Sequence, residues 1–462
     1  MSSGLTRLDE VLGGGLPEGA LTLVAGAPGT GKTILAQHFV FNNATTEQPA
    51  LYCSTVSEPL EKLLRYGQTL AIFDVGAVGS RVLYEDLGGI AILPDGLDAV
   101  LARLGTLLNE HRPSVVVIDS FKALQPFAAD IADYRRFIHN LASRLSTRTT
   151  STFLLGEYTP AELGEAPEFA VADVILSLGS EQDGYRTSRH IEVVKMRGSA
   201  YPAGRHAYKI TDAGLKVFPR VADVLNTSGY EQITERVSTG IPALDDLIHD
   251  GYWPGAATLI VGPTGIGKTM MGLHFLFRGA AKGEPGVLAT LQESRPLLDR
   301  VTAGFGWTID TPGINVHSRS PVGLLVDEWL DEVLAVAEET QARRLVVDSI
   351  DDLSAAVGDE SRFREYMYSL TQRCARLQIS LLMTHEVPEL TGLTRLSEFG
   401  LSHLSDNVVL LQYVPHADRL LRTITVLKTR ASAHEPTRHE FVIAPQGITL
   451  VGTVDPATNG TV

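Results

Sequence analysis

Two short stretches carry the residues best suited to chemistry: Gly26-Ala27-Pro28-Gly29-Thr30-Gly31-Lys32-Thr33 and Gly262-Pro263-Thr264-Gly265-Ile266-Gly267-Lys268-Thr269. Each satisfies the pattern G-x-x-x-x-G-K-T in full. The glycines let backbone N–H groups wrap phosphate oxygens, the lysine neutralises them, and the threonine hydroxyl ligates magnesium. Each stretch follows an apolar run and opens an amphipathic one, so a helix starting there turns its positive end toward the anion. The expected ligands are ATP and magnesium. Gly29, Thr30, Gly31, Lys32 and Thr33 make the first candidate cradle; Gly265, Ile266, Gly267, Lys268 and Thr269 make the second.

The magnesium side of such a site needs an acidic residue ending a buried strand. Asp119 follows Val115-Val116-Val117-Ile118, and Asp348 follows Leu345-Val346-Val347. Thr33 with Asp119, and Thr269 with Asp348, are therefore the candidate metal ligands. Alone, an Asp in this position could be a helix cap; its place after a phosphate loop favours the metal. Hydrolysis further requires a group that orients the attacking water. Glu293, in Thr290-Leu291-Gln292-Glu293-Ser294, stands where many such ATPases carry a catalytic glutamate. The matching text in the first half is Ser54-Thr55-Val56-Ser57-Glu58-Pro59. Val56 and Ser57 cannot take a proton. Glu58 comes one residue late, as a catalytic candidate or as the cap of the next helix. Unequal hydrolysis by the two halves is expected.

The elements that position these residues are duplicated. Residues 3–33 match 239–269 without a gap, and the match runs on through His38-Phe39-Val40-Phe41 and His274-Phe275-Leu276-Phe277. So long a period means a repeated domain, not a solenoid. The boundary is expected near 222–236, giving domains over 1–225 and 235–455. In the first copy, short apolar runs at 21–25, 51–54, 115–118 and 152–155 alternate with helical spacing at 33–44, 95–110 and 133–147. Continuous apolar runs suit strands covered on both faces, hence a mainly parallel sheet between helices. Later runs at 173–178, 190–195 and 207–210 lack intervening helices and are expected as antiparallel edge strands. The second copy repeats the plan at 286–291, 344–348, 379–383, 407–413 and 421–427. The fold class is α/β, with two tandem P-loop domains. His38 and His274 lie on apolar helix faces and are expected to be structural.

Composition narrows the function. The chain has 462 residues, 44% hydrophobic and 20% charged, with net charge −15. That length suits two cores. The acidic balance argues against DNA as a partner. No apolar run reaches the roughly 20 residues that span a bilayer, so no membrane association is expected. Met1-Ser2-Ser3-Gly4 does not open a secretion signal. Cys53 and Cys374, one in each half, read as buried thiols and point to the cytoplasm. No zinc-type ligand spacing occurs.

Taken together, further marks carry a resemblance. Ser3-Gly4, Leu8-Asp9 and Gly14-Gly15 precede the first loop, and Gln292-Glu293-Ser294-Arg295, the Val-Asp-Ser strand ends and Leu410-Leu411-Gln412-Tyr413 follow. Lys195-Met196-Arg197-Gly198 and Lys428-Thr429-Arg430 complete the set. Over nearly its whole length the chain resembles the KaiC family, tandem RecA-like ATPases best known from the cyanobacterial circadian clock. The resemblance implies that Lys195 with Arg197, and Lys428 with Arg430, reach the ATP of a neighbouring subunit. Alternate positions on a strand put both cations on one face, and a cation supplied in trans accelerates transfer by about 10³–10⁵. It also implies a homohexameric ring with ATP at subunit interfaces, and a regulatory protein partner. Residues 157 and 384–386 follow the strand that faces the γ-phosphate in RecA-like folds, which makes them candidate sensors.

The same resemblance implies serine/threonine autokinase activity in the second domain. Ser402 occupies the first phosphoacceptor position, but His403 replaces the expected threonine, and Gln292 replaces the first of two glutamates. The family's long regulatory C-terminal tail has no counterpart in the text after Phe441, and 453–462 is expected to be mobile. The leading expectation is a KaiC-like ATP-hydrolysing ring acting in signalling or clock-type regulation. The alternative is a RecA- or RadA-like DNA recombination or helicase motor. A third reading makes the first domain a scaffold that binds ATP and barely hydrolyses it.

Overall fold

Alternating side chains build each sheet into a wall between two cores. Along Val115–Asp119, Val115 and Val117 enter one apolar cluster while Val116 and Ile118 enter the other. Successive side chains of a strand point to opposite faces, so a run that is apolar throughout must be covered twice. One cover is the helix Lys32–Asn43, through Leu35, Phe39 and Val40. The other is the pair Gly96–His111 and Ile131–Ser146, through Leu97, Leu101, Leu104 and Leu108, and Tyr134, Phe137 and Leu141. Each such side chain contributes about 1.5–3 kcal/mol on full burial.

The computed structural model describes residues 1–56, 60–93, 95–146, 149–159, 162, 165–183, 186–220, 235–387, 403–416 and 419–454. The chain divides into two units, Met1–Arg220 and Val221–Val462. The first unit holds β1 (Leu21–Gly26), β2 (Ala50–Ser54), β3 (Val82–Asp86), β4 (Val115–Asp119), β5 (Ser151–Gly156), β6 (Val174–Asp183), β7 (Arg186–Met196), β8 (Arg205–Thr211) and β9 (Gly214–Phe218). Their order in the sheet is β3-β2-β4-β5-β1-β6-β7-β8-β9. Pairing is parallel from β3 to β6 and antiparallel from there to β9.

The second unit holds β10 (Ala257–Gly262), β11 (Gly286–Thr290), β12 (Ile314–Ser318), β13 (Arg344–Asp348), β14 (Ser380–Glu386), β15 (Asn407–His416), β16 (Arg419–Thr429), β17 (His439–Ala444) and β18 (Gly447–Thr453). Their order, β12-β11-β13-β14-β10-β15-β16-β17-β18, repeats the first permutation strand for strand. Helix Lys268–Ala281 covers one face, and Val326–Glu339 with Glu360–Arg376 covers the other. The expected mainly parallel sheets with antiparallel edges are thus both present. The strands that sequence periodicity leaves unread are β3, β9, β12, β17 and β18. β3 and β12 end their sheets and are half-buried along most of their length, so neither shows a continuous apolar run.

The last hairpin of each sheet is latched to the loop-bearing helix by a histidine. His38 Nε2 accepts from the Leu215 amide at 3.0 Å, and His274 Nε2 accepts from the Ile448 amide at 3.0 Å. Gly214 (φ +95) and Gly447 (φ +110) begin those strands, and a Cβ on either would lie 2.4 Å from the imidazole. A ring nitrogen that accepts a backbone N–H must be unprotonated. Burial agrees, pushing His38 down to about 4 and lowering His274 as well. Both histidines are structural, as their apolar surroundings suggest.

Candidate nucleotide sites

The two phosphate loops leave the carboxyl ends of β1 and β10, each the strand flanked in its sheet by β5 and β6 or by β14 and β15. Ligands in open α/β sheets bind outside such strand ends. Gly29 and Gly31 take φ of 75° and 87°, and Gly265 and Gly267 take 72° and 120°. Side chains are strained in this region, and a Cβ at Gly31 or Gly267 would also lie 3.0 or 2.8 Å from the Ile210 or Ile443 side chain. Gly31 and Gly267 are the helix N-caps. Each loop is braced from outside by a tyrosine, with Tyr208 donating to the Thr30 carbonyl and Tyr413 to the Gly265 carbonyl. These braces come from different strands, β8 and β15.

The lysines close the loops. Lys32 Nζ donates to the Gly26 and Ala27 carbonyls at 3.0 and 2.9 Å, and Lys268 Nζ to the Gly262 and Pro263 carbonyls at 2.9 and 3.0 Å. Both are buried, and burial lowers both pKa values. Opposing charges pull back upward: Glu157 and then Asp119 on Lys32; Glu386, Asp348 and Asp351 on Lys268. A buried ammonium held mainly by carbonyl oxygens at the mouth of an amide-lined curl fits a phosphate group well.

Each threonine that closes a phosphate loop touches the aspartate that ends the neighbouring apolar strand. Thr33 Oγ1 donates to Asp119 Oδ2 at 2.8 Å, and Thr269 Oγ1 donates to Asp348 Oδ2 at 2.7 Å. One hydroxyl and one carboxylate are hard oxygen donors, the kind magnesium takes when phosphates and water supply the remainder. No cluster of three or more His, Cys, Asp or Glu able to hold a metal occurs among the described residues. A third partner differs between the sites. Tyr52, from β2, donates to Asp119 Oδ2 at 2.7 Å, whereas Thr384, from β14, donates to Asp348 Oδ1. The peptide after each aspartate is cis.

Glu293 follows β11. Its amide donates to Thr290 Oγ1 at 3.1 Å and its carbonyl accepts from Ser318 Oγ at 3.2 Å. The carboxylate oxygen Oε2 is buried without a hydrogen-bond partner. Burial first, and the charge of Asp348 second, raise its pKa. In the first site Val56 is exposed and Thr55 turns inward, exchanging hydrogen bonds with the Ser120 carbonyl and amide at 2.9 and 3.0 Å. Glu58 and the phosphoacceptor candidate Ser402 lie outside the described residues.

Both Lys-x-Arg pairs adopt one arrangement, which corrects the expectation of two alternating strand residues. The lysine belongs to its strand, but Arg197 lies past the end of β7 and Arg430 past the end of β16. The cations converge all the same. Lys195 Nζ donates to the Ala172 carbonyl at 2.6 Å, and Arg197 pairs with Asp173 at 3.3 Å. Lys428 Nζ donates to the Ser405 carbonyl at 2.7 Å, and Arg430 pairs with Asp406 at 3.4 Å. Asp173 also accepts from the Leu21 amide, and Asp406 from the Ala257 amide. Each arginine thus sits level with the first residue of the central strand, while the phosphate loop leaves its last. Five steps of about 3.3 Å separate the two levels, about 17 Å.

Sequence reading did not find Tyr52, Lys122 or Asp351. Lys122 Nζ donates to the Glu157 carbonyl at 2.8 Å and pairs with Glu162 at 2.7 Å. Asp351, three residues after Asp348 as Lys122 is three after Asp119, instead accepts from the Glu386 amide at 2.8 Å. None belongs to a short motif; each acts across strands.

Duplicated phosphate loops on RecA-type sheets, each with a threonine–aspartate pair beside it, define a tandem P-loop ATPase. The model of the KaiC ATPase family matches residues 1–222 and 237–454. The chain belongs to the KaiC family, and its function is that of a KaiC-like ATPase. It is 29% identical over 460 residues to the circadian clock oscillator protein KaiC of Rippkaea orientalis, covering 96% of this chain and 87% of that protein. It is 27% identical to KaiC of Synechococcus elongatus, covering 97% and 88% respectively. Against KaiC 1 of Synechocystis the identity is 28%, with 95% and 86% covered. No helix among the described residues is long and apolar enough to cross a membrane.

Proposed function

We propose that domains 1–225 and 235–455 divide the work of one ATPase: the second hydrolyses ATP, and the first binds it and turns it over slowly. The carrying observation is the buried, partnerless carboxylate oxygen of Glu293, set against Val56 and Ser57 at the matching place in the first domain. In the second site Gly265, Ile266, Gly267 and Lys268 hold the β- and γ-phosphates. Thr269 and Asp348 would hold magnesium, whose charge would offset that of the phosphates. Glu293 orients a water toward the γ-phosphorus and takes its proton as the bond to ADP breaks. A raised pKa brings a carboxylate nearer the working pH and makes it a better base. Gly29, Thr30, Gly31, Lys32, Thr33 and Asp119 do the binding work in the first site. Glu58 is the residue there that would supply slow turnover.

Lys195 with Arg197, and Lys428 with Arg430, serve the ATP of a neighbouring protomer. Their distance from their own loops supports this reading, since no side chain spans about 17 Å. It fits a homohexameric ring in the cytoplasm that signals through a protein partner, as the clock-oscillator name of its relatives suggests. Ser402 is the phosphoacceptor of an autokinase activity, a reading that rests on family resemblance alone. Glu293→Gln tests the core proposal: phosphate release falls at least a hundredfold, and a mutant with wild-type turnover removes it. The mass of the assembly with and without ATP tests the ring, and phosphopeptide mapping after incubation with ATP tests Ser402. DNA-stimulated hydrolysis would instead favour the motor reading.

A further inference from the structure

We infer that Glu386, held in place by Asp351, is a nucleotide-discriminating residue of the second site that competes with the γ-phosphate of ATP for the ammonium of Lys268. The inference rests on the reading of that loop as an ATP site.

Glu386 is the last residue of β14 and is in register with Gly262, the first residue of the phosphate loop. Its Oε2 lies 3.8 Å from Lys268 Nζ, the one carboxylate ion pair that this lysine makes among the described residues. The backbone that presents it is fastened. One Asp351 oxygen accepts the Glu386 amide at 2.8 Å, and the other lies 2.7 Å from Nδ1 of buried His385. Asp351 stands on the helix Ile350–Val357, directly after Asp348 and Ser349. The second site therefore presents a carboxylate at its lysine from a fixed strand end.

The first domain does the reverse at the same places. Gly156 replaces His385, so no ring is gripped, and Lys122 replaces Asp351. Lys122 seizes the carbonyl of Glu157 at 2.8 Å, where Asp351 seizes the amide of Glu386. Glu157 makes no ion pair with Lys32. Both loop lysines feel a glutamate at this place, Glu157 on Lys32 and Glu386 on Lys268, but of these two pairs only Glu386 with Lys268 closes to an ion pair, in the domain that carries Glu293.

The γ-phosphate brings negative charge to that lysine, and the poised carboxylate both repels it and takes part of the lysine's charge. ADP ends one phosphoryl group earlier and feels the carboxylate less. Glu386 therefore weakens ATP more than ADP, favouring exchange after hydrolysis only where ATP is in excess.

The test uses the full chain carrying Lys32→Ala, so that the second loop reports, and calorimetric titration with magnesium and either a non-hydrolysable ATP analogue or ADP. Adding Glu386→Gln raises the affinity ratio of analogue to ADP about tenfold, the scale of one unit charge removed near a partly screened phosphate. Asp351→Asn moves the ratio the same way by less. A ratio that is unchanged or falls in Glu386→Gln overturns the inference, provided Lys268→Ala in the same background abolishes binding. Binding that survives Lys32→Ala with Lys268→Ala overturns the reading of the loops, and this inference with it.

Discussion

The two nucleotide sites share their anchors and differ in what surrounds them. Loop, lysine and threonine–aspartate pair superimpose residue for residue in role, with matching bonds of 2.8 and 2.7 Å between hydroxyl and carboxylate. Around them the first site is tied with hydrogen bonds that hold groups still, Tyr52 to Asp119 and Thr55 to Ser120. The second keeps a carboxylate oxygen of Glu293 without a partner and a glutamate against its lysine. A site with an uncompensated buried acceptor suits reaction. Duplication kept the loop, lysine and threonine–aspartate pair and let the residues beside them diverge.

The comparison can be broken most severely through the cations. Lys428→Ala with Arg430→Ala lowers steady-state phosphate release by about 10³, whereas Lys195→Ala with Arg197→Ala changes it less than tenfold. Equal losses from the two pairs would mean that both domains turn over. Mixing the second-domain cation mutant with Glu293→Gln restores part of the activity, because a mixed assembly contains sites with both groups intact. Next in size, Glu293→Gln lowers release by about 10² or more. Glu293→Asp keeps a carboxylate but shortens its reach, and its turnover falls between wild type and Glu293→Gln. Burial-lowered histidines test the symmetric half of the comparison. The folded pKa of His38, about 4, lies below the unfolded value of about 6.5. Stability is therefore complete above pH 6.5 and is lost as pH falls toward 4, by about 2 kcal/mol at pH 5. Thermal melts at pH 7 and 5 should show the two domains softening together, and His38→Gln should flatten that dependence for the first domain. The smallest effect is a gain: Ser57→Glu places a carboxylate at the position that aligns with Glu293 and raises turnover of a Lys268→Ala chain about tenfold. No gain would mean that the tethers around Asp119, not the missing acid, silence that site.

What the sequence made legible was what is local. A phosphate loop is eight consecutive residues, and its duplication exposed the domain plan before any strand was placed. Asp119 and Asp348 were readable because each ends an apolar run that must be buried on both sides. The contacts of Tyr52 with Asp119, 67 residues apart, and of Asp351 with His385, 34 apart, depend on which strands lie side by side, and no short pattern encodes that. The exchange of Lys122 for Asp351 is harder still, since the acid grips the amide of Glu386 and the base grips the carbonyl of Glu157, its counterpart. β3 and β12 escaped because an outermost strand, covered on fewer sides, needs no unbroken apolar run.

The placement of Arg197 and Arg430 at the far end of the sheet from their own loops has a kinetic consequence. On the proposed reading, each domain keeps its own cations about 17 Å from its own phosphate loop, and a site is complete only beside a neighbouring protomer. At high dilution the rate per chain should fall as molecules part, so specific activity depends on protein concentration and the order in enzyme exceeds one. An organism could then silence the enzyme by keeping it scarce, with no inhibitor and no change to any residue.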